Sequence, residues 1–443
     1  MSVTSLFGLS EAPEQKRRRA LTKSPLPGAL GLGLYARAVV RVREWDRALE
    51  NVRQVQEAQL LDIVRHAAAC EFGRAHDFAG IRSYEDWTAR VPVGDYDTFA
   101  PFIDRMRQGE AGVLVPEVIK YYGNSSGSSQ HGRQKFLPIG ERQIAWQIQN
   151  SSDALFRYIA HSRTLDFPAG FTLGLFPPPT MKEEGPSLIT NNPALMSTRV
   201  PKFARMLVLP QEHVKTISDY ETKLEAVAAN CFDHDVRAIS GTTCWFVLMF
   251  DKLLAEAKRR GHRFTTVREI WPNLEVLLGG GVSAEPYLPV IRERVGGDIT
   301  LVDTYNATEG GIYACTDHTG ARGMRMIPDR GVFFEFLPLS ERGKPKPRRV
   351  PLWDVKEDES YSIVVTTTSG LYAYELGDIV KFSSTRPHRI EFAGRLQGCL
   401  STTQELTTHV EIEKAVDHAV KKAGGVTVDF GAGADVGVFG TSK

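Results

Sequence analysis

The sequence predicts an α/β fold in which β-sheets are flanked by helices. Short apolar runs that suit buried strands, such as Leu274–Leu278 and Ile299–Val302, alternate with segments whose apolar residues have helical spacing, such as Phe246–Ala257. Glycines end both kinds of segment, with Gly261 after the helical pattern and Gly279–Gly281 after the first strand pattern. Alternation of this kind along a chain is typical of α/β domains.

Two further regions differ from that alternation. The runs Val332–Leu337 and Tyr361–Thr366 predict a small, locally antiparallel, β-rich subdomain. Near the end of the chain, 412–420 has helical spacing, and 426–430 suits a single strand. One helix and one strand cannot bury much of a core, so we expect 394–443 to be an incomplete small α+β C-terminal domain.

Composition restricts the classes of partner. The chain has 443 residues, 42% of them apolar and 24% charged, which is ordinary for a globular protein. Its 54 basic and 53 acidic residues leave a net charge of +1. This balance gives no electrostatic basis for binding nucleic acid or an anionic membrane. At about 150 residues per domain, the length suggests about two or three structural units.

Cysteine and histidine usage favours a cytoplasmic protein without a structural metal. The five cysteines are odd in number and form no CxxC pair, so neither a disulfide framework nor a zinc site is expected. The eleven histidines include no HExxH. No apolar run reaches the roughly 20 residues of a membrane-spanning helix.

The first candidate site is a loop rich in serine and glycine. Hydroxyls, free backbone N–H groups and flexible glycines are what a loop needs to surround phosphate oxygens, and a lysine adds charge. A flexible linker is the equal alternative for the loop alone. The predicted strands Val118–Tyr122 and Phe136–Ile139 on either side favour the phosphate site. The residues are Ser125, Ser126, Gly127, Ser128 and Ser129, followed by Gly132 and Lys135.

Two later motifs have a related chemistry. In Tyr305–Gly311, an aromatic ring suits stacking on a base, the Thr308 hydroxyl suits an α-phosphate, and the Glu309 carboxylate suits Mg²⁺. A polar turn closed by two glycines is the alternative. In Tyr374–Asp378, an acceptor-only carboxylate on a tight turn suits the two hydroxyls of a ribose. An ordinary hairpin turn is the alternative there.

The order and spacing of the three motifs resemble the adenylate-forming superfamily. Within it, the chain resembles the Gretchen Hagen family of acyl-acid amido synthetases, from about residue 55 to 420. Short segments outside the three motifs also resemble the family's sequences, at Phe72–Arg74, Val91–Val93, Trp271–Leu274, Gly280–Tyr287 and Gly394–Arg395.

The resemblance implies a role for each motif residue. Thr308 and Glu309 would be catalytic, with Thr308 on the α-phosphate and Glu309 on Mg²⁺. Asp378 would bind the ribose, Tyr305 the base or ribose, and Arg395 would mark a hinge. The phosphates would lie against Ser125, Ser126, Gly127, Ser128, Ser129 and Lys135, and the adenine against the segment that contains Gly280, Gly281 and Ser283. The implied domains are a partly disordered tail (1–45), a large ATP- and acyl-binding domain (46–393) and the C-terminal part (394–443).

Two departures from the family pattern affect these roles. Gln130 stands where the family has glycine, and Gly132 comes late, with one extra residue before Lys135. This leaves the loop geometry and the role of Lys135 open. Glu375 replaces an arginine of the third motif, which should weaken any direct contact with a polyphosphate.

The implied reaction is the ATP- and Mg²⁺-dependent adenylation of a small carboxylic acid, followed by transfer to an amino acid. Two alternatives stay open: transfer to coenzyme A as a thioester, or a truncated member that binds nucleotide without turnover. A serine hydrolase is disfavoured, because no GxSxG is present. We expect the acyl pocket to draw on helices and on a mobile loop, Pro177–Ser187.

Overall fold

The computed structural model describes residues 21–24, 30–128, 134–199, 205–282, 284–342 and 344–396, and short pieces beyond them (400–401, 406–407, 415–416, 418–420 and 422–423). The helices are α1 (Leu30–Glu50), α2 (Val52–Ala67), α3 (Glu71–Ala75), α4 (Tyr84–Arg90), α5 (Tyr96–Arg107), α6 (Glu141–Ser162), α7 (Asn192–Arg199), α8 (Glu212–Lys215), α9 (Tyr220–Cys231), α10 (Thr243–Arg259), α11 (Val267–Ile270) and α12 (Leu288–Val295).

The strands are β1 (Tyr121–Ser128), β2 (Gln134–Ile139), β3 (Phe171–Leu175), β4 (Met181–Glu184), β5 (Ser187–Thr190), β6 (Val208–Leu209), β7 (Val236–Gly241), β8 (Val276–Gly280), β9 (Thr300–Ala307), β10 (Gly311–Cys315), β11 (Met324–Met326), β12 (Val332–Pro338), β13 (Val350–Pro351), β14 (Ser360–Thr367), β15 (Tyr374–Thr385), β16 (His388–Arg395), β17 (Leu400–Ser401) and β18 (Leu406–Thr407).

The chain forms two compact units. The first unit comprises Met1–Val42, Asp153–Pro179 and Pro193–Thr304, and the second comprises Arg43–Ser152, Thr180–Asn192 and Tyr305–Lys443. Residues 30–45, which the sequence assigned to a tail, form most of α1. The sequence-predicted domain limits near 45 and 393 stay predictions.

The first unit is built on a parallel sheet. Its strands lie in the order β6-β3-β7-β8-β9, and all four pairings between neighbouring strands are parallel. Helix α10 buries Phe246, Met249, Phe250 and Leu253 at spacings of three and four residues, so that one face of the helix joins the core. This arrangement is the α/β architecture that the sequence predicts.

The second unit contains an antiparallel sheet in the order β13-β12-β14-β15-β16-β11-β10. Its central strands are apolar and buried, and β12 and β14 pair with Phe336 opposite Ile363. The two runs that predicted a β-rich subdomain are β12 and most of β14. Their side chains form a core with those of α2, α4 and α5.

A smaller sheet in the second unit, β2-β1-β5-β4, corrects two expectations. The predicted strand Val118–Tyr122 begins three residues later and continues as β1 through Ser128. The segment Pro177–Ser187, expected to be a mobile loop, contains β4, which pairs with β5. Backbone hydrogen bonds to neighbouring strands outweigh the loop preference of serine, glycine and proline in these segments.

A search of the described residues for a membrane span finds no helix that is both long enough and apolar enough.

Candidate functional site

The serine-rich segment is one arm of a hairpin. Strand β1 pairs with β2 in an antiparallel register that places Ser125 opposite Lys135 and Ser128 opposite Gln134, with an irregularity between the two pairs. The backbone of Ser125, Ser126, Gly127 and Ser128 therefore belongs to β1 and not to a free loop. Residues 129–133, which include Gln130 and Gly132 where the sequence departs from the family pattern, lie outside the described residues.

The hairpin passes directly beside the second motif. A side chain added at Gly123 would place its Cβ 2.5 Å from Thr308 Cγ2, which is closer than atoms can approach. Only glycine lets β1 lie this near to Thr308. The contact lies on β1 two residues before Ser125, so the strand that leads into the predicted phosphate segment touches the threonine that was predicted to hold the α-phosphate.

Lys135 lies near Tyr96 and acts electrostatically on Glu309. Its Nζ is 5.8 Å from the ring centroid of Tyr96, whose hydroxyl accepts a hydrogen bond from the Phe136 N–H at 2.9 Å. The positive charge of Lys135 also acts on the Glu309 carboxyl. Lys135 thus belongs to the site, although its direct ligand is not defined by these contacts.

Thr308 and Glu309 occupy a tight turn between β9 and β10, which is the backbone geometry of the alternative interpretation of this motif; their roles toward phosphate and Mg²⁺ stay predictions. The Gly310 N–H donates to the Ala307 carbonyl at 3.3 Å, and Gly311 has a φ of +97°. A Cβ at Gly310 would come 2.7 Å from the ring of Tyr313. The two glycines of the motif are therefore required by a left-handed backbone and by close packing.

The third motif lies on a strand rather than on the predicted tight turn. Tyr374–Asp378 begins β15, and Gly377 adopts a φ of +84° where the pairing with β14 is irregular. Opposite it on β16, Arg395 is the register partner of Asp378. An irregularity in strand pairing redirects the side chains beside it. Here Asp378 reaches Tyr305 of the second motif from such an irregular stretch of β15.

Asp378 joins the second and third motifs. The Tyr305 hydroxyl donates to Asp378 Oδ2 at 2.7 Å, and Arg395 Nε donates to Oδ1 at 3.0 Å. Tyr305 is only 7% exposed, whereas the Arg395 side chain is 64% exposed. Both carboxyl oxygens are therefore engaged, one by a buried partner and one by a solvated partner.

The electrostatics of this cluster favour a cationic ligand. The pKa of Glu309 is raised to about 7, chiefly by burial and also by the charge of Asp378, although the backbone N–H of Glu309, Lys135 and Arg395 act to lower it. Burial also raises the pKa of Tyr305 and Tyr313 well above the usual tyrosine value, and both carboxylates add to the effect on Tyr313. A cation bound at Glu309 would restore its ionised form.

Glu375, which stands where the third motif of the family has arginine, forms an ion pair with Arg342. Glu375 Oε1 lies 3.1 Å from Arg342 Nε, and its N–H donates to the Gly94 carbonyl at 2.8 Å. The anion that replaces the family's arginine therefore has its own cation. This pairing reduces the repulsion of a polyphosphate that the sequence suggested.

The predicted adenine segment belongs to the first unit. Gly280 ends β8 opposite Thr304, and Gly281 follows with a φ of +82°. Ser283 lies outside the described residues. The Thr304 hydroxyl donates to the Gly279 carbonyl at 2.8 Å, which ties the ends of β8 and β9 together.

Two residues that the sequence did not indicate lie at the motifs. Asp303, half-buried on β9, accepts a hydrogen bond from the Thr304 N–H at 3.0 Å, and burial raises its pKa to about 6. Gln143 on α6 donates from Nε2 to the Thr308 carbonyl at 3.1 Å. Asp303 could have been noticed in the sequence, because it is an acidic residue only two positions before Tyr305. Gln143 had no signal, because its partner is 165 residues away.

Two other features of the described residues do not compete with this site. No group of three or more histidine, cysteine, aspartate or glutamate side chains is arranged there to hold a metal ion. A surface groove beside α2, lined between Glu50 and Arg65, contains none of the predicted site residues.

Sequence profiles of one family match both ends of this site. The GH3 family N-terminal domain matches residues 41–175, which include the hairpin. The GH3 family central domain matches residues 325–395, which include Asp378 and Arg395. The second motif and the predicted adenine segment lie between the two matched ranges.

Curated relatives are similar over most of their length. The jasmonoyl-L-amino acid synthetase JAR4 of Nicotiana attenuata is 23% identical, with 86% of this chain and 75% of the relative covered. The putative indole-3-acetic acid-amido synthetase GH3.10 of Oryza sativa subsp. japonica is 25% identical, with 86% of each chain covered.

Solved structures share the fold. The AtGH3.15 acyl acid amido synthetase in complex with 2,4-DB superposes with a TM-score of 0.75 at 19% identity, covering 91% of this chain and 79% of that one. A 2-hydroxyisobutyryl-CoA ligase in an open conformation gives 0.53 at 14% identity, covering 87% and 83%. These structures confirm the α/β fold class that the sequence predicts. The two matching GH3 domain models and the curated synthetases bear out the predicted resemblance to the GH3 family and the predicted ligase class.

Proposed function

We propose that this protein uses ATP to adenylate a small-molecule carboxylic acid and then transfers the acyl group to an amino acid. The observation that carries the proposal is the convergence of the three motifs in the second unit. Gly123 of the hairpin packs against Thr308, and Tyr305 binds Asp378. Groups that suit phosphate, a divalent cation and ribose are thus close neighbours.

Asp378 is the proposed ribose ligand. Its two oxygens already accept two hydrogen bonds, from Tyr305 and Arg395, which is the number that two ribose hydroxyls would donate. Arg395 is the more exposed partner, and an exposed ion pair contributes only about 0–1 kcal/mol. Exchange of Arg395 for a ribose hydroxyl therefore costs little.

Glu309 is the proposed Mg²⁺ ligand. A half-buried carboxyl whose pKa is raised to about 7 lacks a sufficient counter-charge, which a divalent cation would supply. Mg²⁺ commonly binds through one or two carboxylates together with substrate phosphates, so the absence of a larger acidic cluster among the described residues fits a nucleotide-bound ion. When bound, Mg²⁺ offsets the charge of the phosphate oxygens.

The first half-reaction forms an acyl-adenylate. A carboxylate oxygen of the acid attacks the α-phosphorus of ATP, and the bond to the bridging oxygen breaks, so that pyrophosphate leaves with the electron pair. We assign the Thr308 hydroxyl to the α-phosphate, and Lys135 with the hairpin Ser125–Ser129 to the other phosphates. Donors held in place by folded strands stabilise the developing charge without reorganisation.

The second half-reaction consumes the adenylate. The amino group of an amino acid, after losing a proton, attacks the acyl carbon, and the bond to the phosphate oxygen breaks, releasing AMP. The names of the relatives support a carboxylic acid and an amino acid as the two substrates. One relative is a jasmonoyl-L-amino acid synthetase, and another is a putative indole-3-acetic acid-amido synthetase. Arg395 stays the proposed hinge residue.

Adenine recognition is assigned to the first unit. Gly280, Gly281 and Ser283 remain the proposed lining of the adenine pocket. Asp303, on the strand beside Gly279, adds a carboxyl that can accept a hydrogen bond from an exocyclic amino group. A cytoplasmic location stays a prediction from cysteine usage.

The direct test is ATP–pyrophosphate exchange over a panel of carboxylic acids. Exchange with at least one acid is expected from the folded protein, followed by amide formation when amino acids are added. Offering coenzyme A in parallel distinguishes the thioester alternative. ATP binding without exchange on any acid would reject adenylation and favour a nucleotide-binding role.

A further inference from the structure

The buried face of α6 carries a row of amides. Gln143, Gln147 and Asn150 are spaced by four and three residues, and none is more than 3% exposed. Such a face is normally apolar, because burying an amide without hydrogen bonds is costly. The row is thus a candidate for a specific task.

The amides at the two ends of the row bind the second motif and the first residues of β10, which follow it. Gln143 Nε2 donates to the Thr308 carbonyl at 3.1 Å, and Asn150 Nδ2 donates to the Ile312 carbonyl at 3.3 Å. Gln147 lies between them, and neither of its amide atoms has a hydrogen-bond partner within the described residues. The ends of the row therefore hold the turn that carries Glu309.

One of these bonds acts on Glu309 through a single peptide group. The Thr308 carbonyl and the Glu309 N–H belong to the same plane and rotate together. The backbone N–H of Glu309 lowers the pKa of its own carboxyl, so the orientation of this peptide matters to the carboxylate. Gln143 therefore holds the carbonyl side of the peptide whose N–H belongs to Glu309.

We propose that Gln143 is a positioning residue, whose hydrogen bond to the Thr308 carbonyl fixes this peptide and thereby aims the Glu309 carboxylate at the nucleotide-bound cation. The proposal rests on the proposed function, in which Glu309 holds Mg²⁺. Without the Gln143 bond, the peptide can rotate and the carboxylate loses its fixed direction. Residues that orient a metal ligand commonly change metal affinity by about 10–100-fold when they are replaced.

The test is direct Mn²⁺ binding to the full chain in the presence of an ATP analogue with a methylene group between the α- and β-phosphates. The variant Gln143→Met keeps the length of the side chain and removes the donor. We expect Mn²⁺ affinity, measured by electron paramagnetic resonance, to fall about tenfold. Faster hydrogen exchange is expected in the peptide that spans 305–313.

Gln147→Met is the matched control, because the same change is made one helical turn away at an equally buried glutamine. It should leave Mn²⁺ affinity and hydrogen exchange within about twofold of the wild type. If Gln143→Met does not fold, Gln143→Glu keeps the shape and loses the donor when ionised.

Equal weakening of Mn²⁺ binding in the Gln143 and Gln147 variants would overturn the proposal, because it would indicate a general packing effect of α6. Unchanged Mn²⁺ binding in a folded Gln143 variant would overturn it as well. A wild type that binds no Mn²⁺ with the analogue, or catalyses no pyrophosphate exchange, would instead reject the proposed function.

Discussion

The substitution Asp378→Asn tests the ribose assignment most directly. Asparagine has nearly the same shape, so the strand pairing of Asp378 with Arg395 should persist. The change removes the negative charge and leaves one carbonyl oxygen as an acceptor. The hydrogen bonds from Tyr305 and Arg395, at 2.7 and 3.0 Å, lose their charged acceptor.

The expected magnitude follows from these contacts. A hydrogen bond to a charged group contributes about 1.5–3 kcal/mol, and one such bond to the ribose is lost in the variant. The variant no longer needs to displace Arg395, whose 64% exposed side chain makes an ion pair worth about 0–1 kcal/mol. The net loss of about 0.5–3 kcal/mol corresponds to a rise of about 2–150-fold in the KM for ATP.

The assay compares ATP with 2′-deoxy-ATP in pyrophosphate exchange. The wild type should prefer ATP, and Asp378→Asn should lose most of that preference, because the deoxy nucleotide lacks a hydroxyl that Asp378 binds. Asp358→Asn is the control, since this carboxylate is 76% exposed and pairs with Lys381 at 2.9 Å. An unchanged preference for ATP in Asp378→Asn would refute the assignment.

Three further substitutions test the second motif. Thr308→Val keeps the branched shape and removes the hydroxyl, so kcat for exchange should fall about 10–100-fold with little change in Tm; an unchanged kcat would contradict the α-phosphate role. Gly123→Ala places a Cβ 2.5 Å from Thr308 Cγ2 and should lower the free energy of unfolding by about 1–3 kcal/mol. Adding Thr308→Ser removes that methyl group and should restore most of the loss if this contact is the cause. The Glu309 carboxyl has a pKa of about 7 in the folded protein and 4.5 as its ordinary value. Without metal, the folded wild type should therefore lose stability relative to Glu309→Gln as the pH rises from about 4.5 to 7. Tm values that change with pH in the same way for both proteins would contradict this.

Strongly patterned segments were predictable from the sequence. The run Val332–Leu337 is β12 except for one final residue, and the helical pattern in Phe246–Ala257 lies within α10. Their apolar residues repeat at the spacing of the element that buries them, so the local pattern and the tertiary environment agree. Glycines and changes in polarity located the ends to within a few residues.

Segments of weak intrinsic preference were not predictable in the same way. Serines and glycines favour loops, yet Ser125–Ser128 continue β1 because β2 supplies a partner strand. Tyr374–Asp378 suggested a tight turn, whereas pairing across β14 and β16 makes it part of β15. In both places hydrogen bonds to a neighbouring strand decide the backbone conformation.

The chemistry of the site and the family were determined by the sequence, because hydroxyl, carboxylate and glycine residues stand in recognisable order along the chain. The partners of those residues were decided only by the tertiary structure. Tyr305 meets Asp378 across 73 residues, and Gln143 meets the Thr308 carbonyl across 165. Contacts at such separations depend on how strands and helices pack, and no local periodicity encodes them. The neutralisation of Glu375 by Arg342, 33 residues away, is another contact of this kind.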